Sequence, residues 1–264
     1  MASAIPRELV LRVASAAVLA PAAVLITWLG GLAFSLLVAL AAVLMHAEWL
    51  RLSETQGLKA LEWIRIVVLV AALALGTSGN WIFGVLLLLI AAVVSAAVGH
   101  PRDGIRVWPG FGTLYIGLPC LSLLWIRERH GFDTTILLLA VVWATDIGAY
   151  AAGRLIGGPK LAPRISPKKT WSGATGGLVA ALFVGAVLAV TMQGTSLVDV
   201  LPVCLLVAVS AEIGDLIESF LKRHFDVKDA GGLIPGHGGL LDRLDSLLLA
   251  APVLALLALL HLAG

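Results

Sequence analysis

Long apolar stretches recur along almost the whole chain, and they constrain the fold more than any other feature of the sequence. A helix needs about 20 consecutive apolar residues to cross the hydrocarbon core of a bilayer. Stretches of roughly this length are found at residues 10–28, 31–50, 61–77, 80–99, 109–126, 133–153, 172–192, 197–218 and 246–262. We therefore predict an all-α polytopic membrane protein with about nine transmembrane helices.

The composition supports a membrane protein and excludes several other classes. Charged residues make up 13% of the 264 residues, whereas a soluble domain carries about 25%. The net charge of +2 gives no indication of nucleic-acid binding, and we expect no nucleic-acid partner. Cys120 and Cys204 both lie inside apolar stretches, with no CxxC pair, and are interpreted as small buried side chains. No cleavage site follows the first apolar run, which favours a retained span over a signal peptide.

The fifth stretch is the least regular of the predicted spans. It contains Pro109, Gly110, Gly112, Gly117 and Pro119. Proline and glycine both weaken a helix interior. The sequence therefore leaves open whether this segment spans the membrane fully or forms a broken or re-entrant helix.

The basic residues predict the orientation of the chain. With the N-terminus in the cytoplasm and nine crossings, 16 of the 18 basic residues fall on the cytoplasmic side. Only Arg127 and Arg129 fall on the other side. The positive-inside rule therefore favours this orientation. Because the loops on the outer side are short, we expect any chemistry at the cytoplasmic face, in the loops 154–171 and 219–245.

Acidic residues are concentrated near the end of the chain. Seven of the 16 lie between Glu212 and Asp245. Asp215 follows Glu212 by three residues and precedes Glu218 by three, so a helix would place all of them along one face. Carboxylates in a membrane helix are costly, and they normally face protein or a wet cavity at a functional site.

Further carboxylates come from two other apolar segments. Asp242 and Asp245 have an i, i+3 spacing at the start of the ninth stretch, and Asp146 lies inside the sixth. We expect these groups to reach a similar depth near the cytoplasmic surface. Clustered carboxylates repel one another unless a cation compensates them, and oxygen ligands favour Mg²⁺. The alternative is that the acids pair with nearby basic residues and only order a loop.

Two loops provide groups that suit phosphate. In "GGLIPGHGG", residues 231–239, glycines allow backbone N–H groups to approach an anion. The second loop, "PKLAPRISPKKTWSG", has basic residues on the same predicted side, and Ser166 before Pro167 favours an extended chain. No GxxxxGK[ST] motif and no nucleophile elbow are present. Gly173 and Gly177 form a GxxxG pattern that predicts close helix packing.

The segment "SFLKRHFDVKDAGGLIPGHGGLLDRLD", from Ser219 to Asp245, resembles the signature of the phosphatidate cytidylyltransferases, also called CDP-diglyceride synthases. The blocks "DIGAY" with Gly153–Arg154, and "SPKKTW", also resemble this family. Ser172 stands where many relatives have a glutamate, which puts any acidic role at that position in doubt. The pattern's fixed positions are all filled, by Ser219, Lys222, Arg223, Lys228, Asp229, His237, Gly238, Gly239, Asp242, Arg243 and Asp245.

The resemblance implies that CMP is transferred from CTP to phosphatidic acid, giving CDP-diacylglycerol and pyrophosphate with Mg²⁺ in phospholipid biosynthesis. A second metal or a monovalent ion would be compatible with the same site. The implied partners are CTP, phosphatidic acid and the lipid bilayer. A homodimer is also compatible with the resemblance. The implied location is the bacterial inner membrane, with the active site facing the cytoplasm.

The family resemblance and the chemistry of the reaction together suggest roles for individual residues. We expect metal ligation by Asp215, Asp242 and Asp245, with Asp146 and Asp229 as further or supporting ligands. Catalytic roles are also expected for Lys169, Lys222, Arg223 and His237. Binding of substrate is expected for Ser166, Lys168, Lys169, Thr170, Lys228, Gly236, Gly238, Gly239 and Arg243.

The sequence suggests different roles for the two halves of the chain, and it leaves two other functions open. We expect residues 1–130 to form a transmembrane scaffold and residues 131–264 to carry the catalytic loops. A CTP-dependent polyprenol or phytol kinase would need similar groups. A cation-coupled transporter is the other alternative, since acids within the membrane also mark ion pathways.

Overall fold

The computed structural model describes residues 20–53, 59–100, 103–191, 196–232 and 238–260. This part of the chain forms helices and one two-stranded hairpin. In chain order they are α1 (Ala20–Leu29), α2 (Gly31–Ser53), α3 (Lys59–Thr77), α4 (Trp81–Val98), α5 (Val107–Arg129), α6 (Gly131–Leu155), β1 (Lys160–Ala162), β2 (Ser166–Thr170), α7 (Trp171–Thr191), α8 (Leu197–His224) and α9 (Leu241–Leu259).

The helical architecture follows from the apolar stretches. Lipid offers no hydrogen-bond partners to the backbone, so each spanning segment must satisfy its N–H and C=O groups internally. In the described part of the chain, seven helices, α2 to α8, are long and apolar enough to cross a membrane. The predicted all-α polytopic membrane fold is confirmed.

The fifth helix is continuous from Val107 to Arg129, with Pro119 inside it, so it is not broken, and it is long and apolar enough to cross a membrane. Its glycines allow close packing against neighbouring helices. A Cβ at Gly112 would lie 1.9 Å from Nε1 of Trp49, and one at Gly117 would lie 2.6 Å from Cδ2 of Leu88. The residues that made this segment look irregular therefore let other side chains approach its backbone.

The polar loops contain more helix and strand than the boundaries of the apolar stretches predict. Helix α8 continues past residue 218 to His224, and α9 begins at Leu241 rather than at residue 246. The loop 154–171 contains an antiparallel hairpin in which Lys160 pairs with Thr170 and Ala162 with Ser166. Ordered backbone thus extends beyond the apolar residues, because helices and strands also satisfy the backbone at the membrane edge.

The interior consists of two apolar clusters that share α8 and α9. One cluster joins α2–α5 to Leu221, Phe225 and Leu241. The other joins the end of α5 and helices α6 and α7 to the remainder of α8 and α9. Helices α8 and α9 therefore connect both halves of the molecule.

Helices α6 and α7 pack closely through small residues. A Cβ at Gly173 would lie 3.0 Å from the carbonyl oxygen of Ala149, and one at Gly177 would lie 2.9 Å from that of Thr145. The close packing predicted from the GxxxG pattern is confirmed. Cys120 and Cys204 are buried and free, as predicted.

The outer surface of the bundle is apolar. Leu32, Ile82 and Val190 are each about three-quarters exposed, at 74%, 75% and 76%. Large exposed apolar surfaces are unfavourable in water but are what a bilayer requires of a helix surface. These side chains are therefore placed to contact lipid.

Candidate active site

Carboxylates from three helices meet at one end of the bundle. Asp146 lies on α6, Asp215 on α8 and Asp245 on α9. The hydroxyl of Ser246 donates to Oδ1 of Asp146 over 3.1 Å, which ties α9 to α6. The three carboxylates are close enough to act electrostatically on one another. The structure thus brings these predicted residues together from separate segments of the chain.

The hairpin places a lysine in the same cluster. Nζ of Lys169, near the end of β2, lies 2.6 Å from Oδ2 of Asp215. The strand is fixed where it enters α7, because Oγ1 of Thr170 accepts a hydrogen bond of 3.1 Å from the N–H of Gly173. Ser166 begins β2 and is half-buried, whereas Lys168 is exposed. The extended strand therefore directs Lys169 towards α8.

A second lysine joins α8 to α9. Nζ of Lys222 lies 2.8 Å from Oδ1 of Asp242 and 2.5 Å from Oε2 of Glu218. The side chains of Glu218 and Asp242 are only 1% and 4% exposed. Buried carboxylates require such compensation. For Glu218, the alternative expectation of pairing with a nearby basic residue is confirmed.

The remaining oxygen of Asp242 binds backbone N–H groups on both sides of the glycine loop. Oδ2 of Asp242 accepts hydrogen bonds of 2.9 Å from the N–H groups of Ala230 and Gly239. Gly238 has a φ of +81°, and a Cβ there would lie 3.1 Å from the same oxygen and 3.7 Å from Oδ1 of Asp229. The N–H of Gly239 is therefore engaged by the protein's own carboxylate.

A carboxylate from the N-terminal half completes this arrangement. Oε1 of Glu48, on α2, accepts a 3.0 Å hydrogen bond from the N–H of Leu240, and Oε2 accepts one of 2.8 Å from the N–H of Leu241. Glu48 is not among the residues predicted from the sequence. A single acidic residue inside an apolar stretch was the available signal, but its partners lie some 190 positions further along the chain.

Tyr115, on α5, was also missed. Its hydroxyl is buried and has no hydrogen-bond partner among the described residues. The carboxylates of Glu218, Asp245 and Asp215 act on it electrostatically. Helix α5 thus contributes a polar group to the acidic end of the bundle.

Other predicted residues lie around the cluster or outside the described part of the chain. The side chain of Arg223 is exposed, and its Nη1 donates to the carbonyl oxygen of Val227 over 3.5 Å. Lys228, Asp229 and Arg243 are also exposed. Gly236 and His237 fall outside the described residues.

Asp103 and His224 form a contact beside the end of α8. Oδ2 of Asp103 lies 2.7 Å from Nε2 of His224 and accepts a 2.8 Å hydrogen bond from Nε1 of Trp108. Desolvation acts to raise the pKa of Asp103, but hydrogen bonds from the N–H of Ile105, from His224 and from Trp108 outweigh it. The pKa of this carboxyl is therefore held below its ordinary value.

The carboxylate oxygens at this end of the bundle are the type of ligand that Mg²⁺ prefers. Among the residues that the structure describes, no group of three or more His, Cys, Asp or Glu side chains is arranged so that it could hold a metal ion. Mg²⁺, however, keeps several waters and commonly binds through one or two carboxylates together with substrate phosphates. Asp215, Asp242 and Asp245 supply oxygen donors of this kind at the same end of the bundle.

Comparison with known proteins gives a consistent result. The model of the cytidylyltransferase family matches residues 10–261. A phosphatidate cytidylyltransferase of Brucella suis biovar 1 is 41% identical over 250 residues, covering 93% of this chain and 91% of the relative. The protein of the same name from Bacillus subtilis is 43% identical over 151 residues, or 55% of this chain and 56% of the relative. That from Rickettsia bellii is 36% identical over 182 residues, covering 66% and 78%.

The match to the family model extends over nearly the whole chain. The chain belongs to the cytidylyltransferase family, and it is a nucleotidyltransferase enzyme. The family resemblance inferred from residues 219–245 is confirmed.

Proposed function

We propose that this member of the cytidylyltransferase family transfers CMP from CTP to phosphatidic acid, giving CDP-diacylglycerol and pyrophosphate. The relatives named phosphatidate cytidylyltransferase support this substrate pair. The structural observation that supports it most is the meeting of carboxylates from α6, α8 and α9 with Lys169 and Lys222. Such an arrangement suits a reaction between anions whose barrier is electrostatic and positional.

The reaction needs no strong general base. An oxygen of the phosphatidate phosphate attacks the α-phosphorus of CTP and forms a new P–O bond. The bond from the α-phosphorus to the oxygen that bridges to the β-phosphorus breaks, and pyrophosphate leaves with that electron pair. Because a phosphate monoester dianion is already a nucleophile, the protein's task is to align two anions and offset their repulsion.

The lysines are placed to offset that repulsion. Lys169 contacts the carboxylate of Asp215, and Lys222 contacts that of Asp242. We assign them to the phosphates of CTP, together with Lys168, Arg223 and Arg243. The charge-assisted contacts of such side chains are stronger than neutral ones.

We assign Asp215, Asp242 and Asp245 as the residues that would hold magnesium, with Asp146 and Asp229 in support. When bound, the ion would supply positive charge to the triphosphate and to the leaving pyrophosphate. The carboxylates would determine the position of the ion, because Asp146 projects from α6, Asp215 from α8, and Asp242 and Asp245 from α9.

We also place the site at the cytoplasmic face of the bacterial inner membrane. The basic residues support this orientation, with 16 of 18 on the side that holds residues 154–171 and 219–245. Labelling of single cysteines at exposed Lys168 and Arg129, in sealed inverted vesicles, would test it. Lys168→Cys should react from the cytoplasmic side only, and Arg129→Cys from the other side only. The homodimer stays a prediction, testable by the mass of the detergent-solubilised protein.

An assay with labelled CTP tests the reaction itself. Purified protein would be incubated with phosphatidic acid, Mg²⁺ and CTP labelled either at the α-phosphate or at the γ-phosphate. We expect the α-label in the lipid fraction and the γ-label in pyrophosphate. Transfer of the γ-label to a lipid would identify a kinase instead, and no consumption of CTP would contradict both enzymes.

A further inference from the structure

Glu48 is a buried charge whose hydrogen bonds both lead to another part of the chain. The side chain lies in the apolar helix α2, and the residue is 3% exposed. Burying a carboxylate is costly unless it is fully hydrogen-bonded. Its two oxygens accept from Leu240 and Leu241, where α9 begins. These N–H groups have no partner within their own helix, and the positive end of the helix dipole favours a negative charge there.

Gly231 and Gly239, the two ends of the glycine loop (residues 231–239), both lie close to the same carboxylate. A Cβ at Gly231 would lie 2.5 Å from Oε1 of Glu48, and a Cβ at Gly239 would lie 2.7 Å from Oε2. Two segments of the loop therefore approach Glu48 more closely than any side chain larger than hydrogen allows. By contrast, a Cβ at Gly232 would meet no atom of the described residues within 4 Å.

The start of α9 in turn orients the acids of the site. Asp242 is the second residue of α9 and accepts the N–H groups of Ala230 and Gly239. Asp245 follows three residues later on the same helix. A shift of Leu240 and Leu241 would therefore move both carboxylates relative to Asp215 on α8.

We infer that Glu48 is a positioning residue for cytidylyl transfer: it fixes the first turn of α9, and with it Asp242 and Asp245, from the N-terminal half of the chain. The inference rests on the proposed function for its kinetic consequence only. Glu48 touches neither substrate in this account and acts through the backbone of Leu240 and Leu241.

The first test compares Glu48→Gln with Glu128→Gln, the same change at an exposed position on α5. Glutamine keeps the volume of Glu48 but turns an NH2 donor towards one of the two N–H groups. We expect kcat to fall about 10-fold to 100-fold, as for supporting residues around reactive ligands, with KM for phosphatidic acid little changed. E128Q should keep the wild-type kcat. A wild-type kcat in E48Q overturns the inference.

Amide hydrogen exchange at Leu240 and Leu241 gives a readout independent of activity. E48Q should accelerate exchange at both positions, whereas E128Q should not. Unchanged exchange in E48Q overturns the inference, even if the wild-type protein proves to catalyse another reaction. A wild-type protein without CDP-diacylglycerol synthesis overturns the proposed function alone.

A double-mutant cycle tests the contact with the loop. Gly231→Ala should lower kcat in the wild-type background because the methyl group displaces Glu48, and Gly232→Ala should lower it less. In the E48Q background, where the hydrogen bonds are already impaired, G231A should cost clearly less than in the wild type. Equal costs in the two backgrounds contradict the inference.

Discussion

The two halves of the molecule use the same kind of apolar helix but bring polar and aromatic side chains together differently. In the N-terminal half, aromatic rings pack around Trp49, whose ring centroid lies 5.6 Å from that of Phe111. In the C-terminal half, lysine–carboxylate pairs lie between Lys169 and Asp215 and between Lys222 and Asp242. Packed rings stabilise a fold directly, whereas partly buried charges cost desolvation.

We propose that the C-terminal half retains its charges for chemistry and that the N-terminal half holds these charges in place. The two meet where Phe225, at the end of α8, packs against Trp49 and Trp108, with centroid distances of 6.0 and 5.5 Å. Glu48 makes a second connection, to α9. The prediction that residues 1–130 act as a scaffold and 131–264 as the catalytic part can therefore be tested by mutation.

The largest effect is expected from removing a charge in the C-terminal half. Asp245→Asn should lower kcat by about 100-fold to 1,000-fold, the range seen when a group that stabilises developing charge is lost. Asp242→Asn should behave similarly. Both proteins should still insert, because the apolar segments are unchanged.

Asp199→Asn is the matched control for these variants. Asp199 is exposed in the first turn of α8, at the end opposite to Asp215. Its kcat, measured by CDP-diacylglycerol formation, should equal that of the wild type. Near-normal turnover in both D242N and D245N would refute the metal assignment.

The reverse effect is expected at Gly112 in the N-terminal half, where a substitution should lower stability and leave turnover largely intact. A methyl group in Gly112→Ala would overlap the indole of Trp49, at 1.9 Å from Nε1. We expect a loss of about 3 kcal/mol in the free energy of unfolding, at the upper end for overpacked cores. Thermal unfolding in detergent would measure it.

Leu118→Ala on the same helix provides the comparison, because Leu118 is exposed on the apolar surface. It should destabilise the protein less than G112A. The folded fraction of G112A should keep most of its kcat. If G112A abolished turnover in folded protein without lowering the unfolding temperature, the two halves would not differ as described.

The smallest effect is expected at the contact between the halves formed by Asp103 and His224. Because the folded-state pKa of Asp103 lies below its ordinary value, its contribution to stability is present above the ordinary pKa of about 3.9 and is lost as the pH falls through the lowered value. Asp103→Asn should therefore lower the unfolding temperature slightly at pH 7 and not at the acidic end. The exposed Asp133→Asn is the control. A difference that grew as the pH fell would contradict this account.

Much of the fold could be predicted because lipid imposes a simple rule on sequence. Spans of about 20 apolar residues locate the helices, but they do not locate helix ends at the membrane edge. There the backbone continues to hydrogen-bond through charged residues, as in α8 up to His224. The continuity of α5 was hidden because its glycines reflect the proximity of Trp49 and Leu88, which composition does not reveal.

The site was only partly visible for a similar reason. Asp215 stands out through its i, i+3 spacing with Glu212 and Glu218 on α8, and Asp242 and Asp245 through the same spacing on α9. Both spacings are local patterns. The pairing of Lys169 with Asp215 depends on a hairpin that directs the lysine towards α8. Glu48 and Tyr115 depend on contacts between distant segments, which no local pattern contains.

The central claim is that carboxylates from separate helices hold one metal–triphosphate site. Crystals of the protein grown with CTP and Mn²⁺ in place of Mg²⁺ would test it most directly, through the anomalous scattering of manganese. We predict an anomalous peak bordered by the carboxylates of Asp215 and Asp245, absent from Asp215→Asn crystals. Bound CTP with its manganese away from these carboxylates would contradict the account.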